Sequence, residues 1–149
     1  MTLAEPVPAG VGARAPAFTL DTIDGTSVGI VPGKVNVVFF WATWSEPDKK
    51  SLPPLQALYE KHRAEGLTLL GISIDEEPKG VAEFVRTYGV RFPVAWDRGR
   101  VVAERYRPAS EPTYYVIDHA GIVRFVNAGW HDGDDEIVKD QVASLLSSR

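Results

Sequence analysis

Residues 35–41, Val-Asn-Val-Val-Phe-Phe-Trp, form a nearly continuous β-branched and aromatic run. Without polar alternation, such a run predicts a central strand buried on both faces. Residues 67–74, Leu-Thr-Leu-Leu-Gly-Ile-Ser-Ile, repeat the pattern and predict a second central strand. Between them, residues 45–65 carry apolar side chains at helical spacing: Leu52, Leu55, Leu58 and Tyr59 share one side, and Gly66 stops the helix. Pro53 and Pro54 lie inside this helix and should kink it, since each removes a backbone donor. Residues 78–88 place Val81, Phe84, Val85 and Tyr88 on one helical face, with Gly89 closing it.

Downstream, residues 92–96 read as a short extended piece, 101–106 as a short helix and 113–117 as a strand. Asp118-His119-Ala120-Gly121 is a hairpin turn, residues 122–128 return as a strand, and 134–146 form a last amphipathic helix. Upstream, residues 17–20 and 27–31 predict two short strands around the Asp24-Gly25 turn. The order is β-α-β-α-β-β-α behind an N-terminal β extension. Alternating elements that end in a hairpin imply an α/β domain with a mixed sheet and helices on both faces. Residues 1–12 read as a flexible leader and 13–149 as one domain.

Composition narrows the classes. A formal net charge of -4 and scattered Lys and Arg argue against nucleic-acid binding. No apolar run approaches the ~20 residues that span a bilayer. Met1 to Gly12 lacks the basic and apolar regions of a signal peptide. The chain has no cysteine, which removes disulfides, thiolate metal sites and any thiol nucleophile.

The most informative stretch is residues 40–55, Phe-Trp-Ala-Thr-Trp-Ser-Glu-Pro-Asp-Lys-Lys-Ser-Leu-Pro-Pro-Leu. It resembles the active-site segment of the TlpA/ResA-like thiol–disulfide oxidoreductases, which read Trp-Cys-Glu-Pro-Cys-Lys-Lys after a Phe-Trp-Ala-Thr strand. Ser45 and Asp48 stand where the two cysteines belong. Residues 111–121, Glu-Pro-Thr-Tyr-Tyr-Val-Ile-Asp-His-Ala-Gly, resemble the family's cis-proline segment and the turn that follows its strand. Residues 72–76, Ile-Ser-Ile-Asp-Glu, resemble the stretch where the family places an acidic residue near its thiols. Glu76 is the candidate helper, with Asp75 an equal alternative.

The resemblance covers roughly residues 12–146 and implies a thioredoxin fold. It also implies a shallow groove for an extended polypeptide or a redox partner, built here from Trp44, Glu46, Pro47, Glu111, Pro112 and Thr113. By analogy it implies a location outside the cytoplasm, and it calls for no cofactor.

The family's chemistry needs a thiolate activated at a helix start and a second thiol to resolve the mixed disulfide. A serine hydroxyl and an aspartate supply neither. Ser45-x-x-Asp48 has instead the spacing of a capping box, in which Ser45 accepts the Asp48 N–H and the carboxylate reaches back to the Ser45 N–H. Hydrolase chemistry at Ser45 would need a base; His62 and His119 are assigned to other parts of the fold, and His131, which follows the last strand, is a remote candidate. Glu46, Asp48, Glu76 and Glu111 could border one surface, but no loop has metal-ligand spacing. Two readings remain: a redox-silent polypeptide binder, or an inactivated form of a genuine oxidoreductase.

Overall fold

The computed structural model describes residues 9–148. Its centre is β3 (Val35–Trp41), buried at every position. In parallel beside β3 runs β4 (Leu67–Ser73), and beside that β5 (Val94–Trp96); on the other flank lie antiparallel β6 (Thr113–Ile117) and β7 (Val123–Ala128). The sheet order is β5-β4-β3-β6-β7. A separate antiparallel pair, β1 (Leu20–Asp21) and β2 (Ser27–Val28), forms the N-terminal extension.

Because successive β3 side chains face opposite ways, its run divides between two cores. Val35, Val37, Phe39 and Trp41 pack under α1 (Glu46–His62), α2 (Pro78–Tyr88) and α4 (Asp134–Ser147). Val38 and Phe40 face α3 (Val101–Tyr106) and the N-terminal segment, where the Tyr106 ring meets Phe40 at a tilt and the Tyr115 ring meets it edge-on. Helices therefore cover both faces, and the fold is the mixed α/β sheet that the pattern predicts. A Cβ at Gly71 would lie 2.9 Å from the Phe39 ring and 3.1 Å from Trp41 Nε1, so β4 needs glycine where these rings cross it. None of the described helices is long and apolar enough to cross a membrane.

Several sequence expectations need correction. Residues 9–12 are docked rather than loose: Ala9 is buried and the Gly12 N–H bonds the Val123 carbonyl at 2.8 Å. Residues 1–8 lie outside the described part. The strands predicted at 17–20 and 27–31 shrink to two residues each. Val31, the end of the second, gives its N–H to Asn36 Oδ1 and accepts from Asn36 Nδ2, so a side chain takes its ladder bonds. Helix α1 runs on through Pro53 and Pro54, then tightens to a 3-10 turn (Arg63–Glu65) before Gly66 at φ 108°.

Asp97 is a structural residue that the sequence did not reveal. It is 1% exposed, and its two oxygens accept the Val102 and Ala103 N–H groups at 3.0 and 2.8 Å, capping α3. Asp97→Ala would leave both buried donors unpaired. It is expected to lower the unfolding free energy by about 1–3 kcal/mol in urea titration, and Asp97→Asn, which keeps one acceptor, by less.

Candidate functional site

Parallel β3 and β4 end on the same side of the sheet, and the chain leaves β3 into α1 there. This is the edge at which α/β proteins build their sites. Ala42, Thr43 and Trp44 make the turn. Ser45 takes the N-cap position with extended backbone (φ -90°, ψ 120°), and its N–H bonds the Ala42 carbonyl at 3.2 Å. Opposite lies the loop that enters β6, whose Glu111–Pro112 peptide is cis. Ser45 Oγ donates across the gap to the Glu111 carbonyl at 3.3 Å, joining the helix start to the proline loop.

The capping box does not form: Ser45 makes no side-chain cap bond. Its hydroxyl is turned to Glu111, and Asp48 reaches past Ser45 to accept the Ala42 N–H at 2.9 Å through Oδ2. Asp48 is wholly buried, and its Oδ1 has no hydrogen-bond partner among the described residues. Burial pushes the Asp48 carboxyl up to about 7; the Glu111 and Asp75 carboxylates add to the rise, against the Ala42 N–H and Ser45. The group is therefore close to half-protonated at neutral pH. Tyr114 Oη on β6 is buried beside it, and burial raises its phenol well above the usual range, with Asp48 adding to the rise against Ser51. Ser51, one turn along α1, donates to the Asp48 carbonyl at 2.7 Å.

Of the two acidic candidates after β4, Asp75 is the one tied to the site. Its oxygens accept the Thr43 N–H at 3.2 and 3.1 Å, the Thr43 hydroxyl at 2.6 Å and the Ser73 hydroxyl at 2.6 Å. Glu76 is exposed and lines an open groove of about 820 Å³ together with Trp44, Asp75 and Arg100. Trp44 is 65% exposed at the rim of that groove.

The other predicted residues fall out as follows. Glu46 is exposed and pairs with Lys49 at 3.0 Å. Glu111 is half-buried and faces Arg100 at 3.6 Å. Pro112 is buried, and its carbonyl takes the Gly129 N–H of the neighbouring chain segment at 2.7 Å. Thr113 is buried with its hydroxyl turned back to the Ser110 carbonyl at 2.7 Å, so it supports the loop. The Pro47 side chain lies outside the described part.

His62 bonds Glu65 at 2.8 Å and His131 bonds Asp134 at 3.1 Å, each within its own turn, so neither serves Ser45 as a base. Among the described residues no group of three His, Cys, Asp or Glu could hold a metal ion. Arg100 is the residue that sequence reading missed. It sits at φ 58° at the groove rim, and only the adjacent Gly99 hints at the unusual backbone.

A five-stranded mixed sheet, a helix start facing a cis-proline loop and a two-residue spacing between Ser45 and Asp48 define a thioredoxin-fold protein. The chain belongs to the AhpC/TSA family, whose model matches residues 11–126. It is 34% identical over 115 residues to "Thiol-disulfide oxidoreductase ResA" of Bacillus anthracis, an alignment covering 76% of this chain and 66% of that protein. With the protein of the same name from Bacillus subtilis (strain 168) it shares 33% identity over 120 residues, covering 79% and 67%. The chain thus spans about two-thirds of the length of these relatives.

Among solved structures it is similar to a Chlorobium tepidum protein provisionally described as the thiol:disulfide interchange protein DsbE. The TM-score is 0.88 at 26% identity, over 93% of this chain and 99% of that one. A second Chlorobium tepidum structure, a thiol:disulfide interchange protein of the thioredoxin family, gives 0.77 at 26% identity over 98% and 100%.

Proposed function

We propose that this chain is a redox-silent relative of the thiol–disulfide oxidoreductases that holds a partner polypeptide without forming a covalent bond to it. The observation that carries the reading is the content of the site. Oxygen-bearing side chains, Ser45 and Asp48, replace sulfur in a chain with no cysteine, while the surrounding frame is kept. Exchange needs a thiolate to attack a disulfide and a second thiol to release the product. A hydroxyl at position 45 is neutral at physiological pH, and a buried carboxyl at position 48 cannot attack sulfur. What remains usable is surface: the exposed Trp44 indole and the groove beside it. Tryptophan at a partly buried rim is among the side chains most often responsible for binding energy.

Calorimetric titration with an unfolded polypeptide, in thiol and in disulfide form, tests the reading. Both forms should bind with similar affinity and no thiol should be consumed. Trp44→Ala should weaken binding about fivefold or more while leaving stability within about 0.5 kcal/mol, as expected for an exposed side chain. Absence of binding to either form, with no effect of Trp44→Ala, overturns it.

A further inference from the structure

We infer that the groove beside Trp44 selects a cationic segment, with a lysine or arginine side chain laid against the indole and its charge turned to the acidic wall. The inference rests on the polypeptide-binding reading above and adds the chemistry of the partner. Three observations meet at this place.

The first is shape: about 820 Å³ of open groove on the side of the helix start where the chain leaves β3 and β4. The second is the indole. Trp44 is 65% exposed, whereas Trp41 is 1% exposed in the core. A bare tryptophan face is the best aromatic partner for a cation.

The third is charge. Three acidic residues present carboxylates here, Asp75, Glu76 and Glu77, and Arg100 is the one cation among the described lining residues; Asp97 also borders the groove but is 1% exposed, with both oxygens bound to α3 N–H groups. None of these three carboxylates has an ion-pair partner among the described residues. Arg100 is turned toward Glu111 at 3.6 Å, outside this set. Asp75 is fixed by hydrogen bonds to Thr43 and Ser73, so its charge stays in the wall when a ligand arrives. Glu76 and Glu77 are exposed and free to close on a cation. An extended segment bearing Lys or Arg would supply what the groove lacks, its alkyl stem covering the indole and its head meeting the carboxylates. An acidic segment would meet like charge on every side but that of Arg100.

Titration with capped Gly/Ser peptides carrying a central lysine pair, and with twins in which norleucine or glutamate replaces lysine, decides the matter. The full chain is used, and binding is read by calorimetry. The lysine peptide should bind about tenfold more tightly than the norleucine twin and more tightly still than the glutamate twin. Raising the salt from about 0.1 to 1 M, which shortens the Debye length from about 10 to 3 Å, should erase most of that preference. Glu76→Gln with Glu77→Gln should reduce the preference at least threefold, and Trp44→Ala should weaken the lysine peptide about fivefold. Equal binding of the lysine and norleucine peptides overturns the charge inference and leaves the binding reading standing. So does a preference unmoved by the paired glutamine substitutions. No binding of any peptide removes both.

Discussion

Asp48→Asn is expected to stabilise the protein at pH 8 by about 2–4 kcal/mol and to leave it nearly unchanged below pH 4. The folded state holds the Asp48 carboxyl at about 7, whereas the unfolded chain returns it to 3.8. Below pH 3.8 the group is protonated in both states and costs nothing. Between 3.8 and 7 the unfolded chain gives up its proton while the folded chain keeps it, so stability drains away as the pH rises. Above 7 the penalty is constant. At 1.36 kcal/mol per pH unit, a shift of about three units corresponds to about 4 kcal/mol. Asparagine has the same outline and no charge, and its oxygen can still accept the Ala42 N–H now held at 2.9 Å. Its amide hydrogens would face the place where Oδ1 has no partner, which offsets part of the gain.

Urea unfolding of the two proteins from pH 4 to 8 reads the effect as a difference that grows with pH. The difference is the informative quantity, because Asp118 works the other way in the parent. Burial pushes its carboxyl up, but the Ile122 and Ala120 N–H groups and Arg124 together outweigh burial and hold it below the usual carboxylate range. It therefore contributes stability that is lost in acid. A stability difference that stays flat across the range would show that Asp48 is not the strained group.

Most of the frame was legible because its signals are local. The β3 run, the stop at Gly66 and the Asp118 turn, whose side chain accepts the Ala120 and Ile122 N–H groups at 3.0 Å, each depend on neighbours in sequence. Errors came where a distant partner outbid a local one. The Ser45–Asp48 spacing is that of a cap, but the Ser45 hydroxyl bonds a carbonyl 66 residues away. Asp75 and Glu76 are adjacent acids, and only the fold reveals that Thr43, 32 residues upstream, holds the first and not the second. The Asp97 cap was invisible for another reason. Its oxygens reach N–H groups five and six residues on, beyond the two or three residues of an ordinary N-cap.

The pair Ser45→Cys with Asp48→Cys is expected to give a chain whose turnover of a dithiol substrate stands at least a hundredfold above the uncatalysed rate and above that of the cysteine-free protein. A sulfur at position 45 would sit at the N-terminus of α1, where free N–H groups and the helix dipole favour the thiolate. A sulfur at position 48 would replace the buried carboxyl with a small apolar group, which suits a site of zero exposure far better. The two single variants separate the roles. Ser45→Cys alone should form a mixed disulfide and stop there, because Asp48 cannot release it. Asp48→Cys alone should gain stability at pH 8 and no activity. Turnover is read with a dithiol substrate, and folding by circular dichroism and urea titration. A folded double variant that closes its own disulfide yet turns nothing over would mean that the loss extends past the two sulfurs into the surrounding frame. Asp75, bound to the turn through Thr43, would then be the first place to look, because its carboxylate is the acidic group nearest in connectivity to the reacting end of β3.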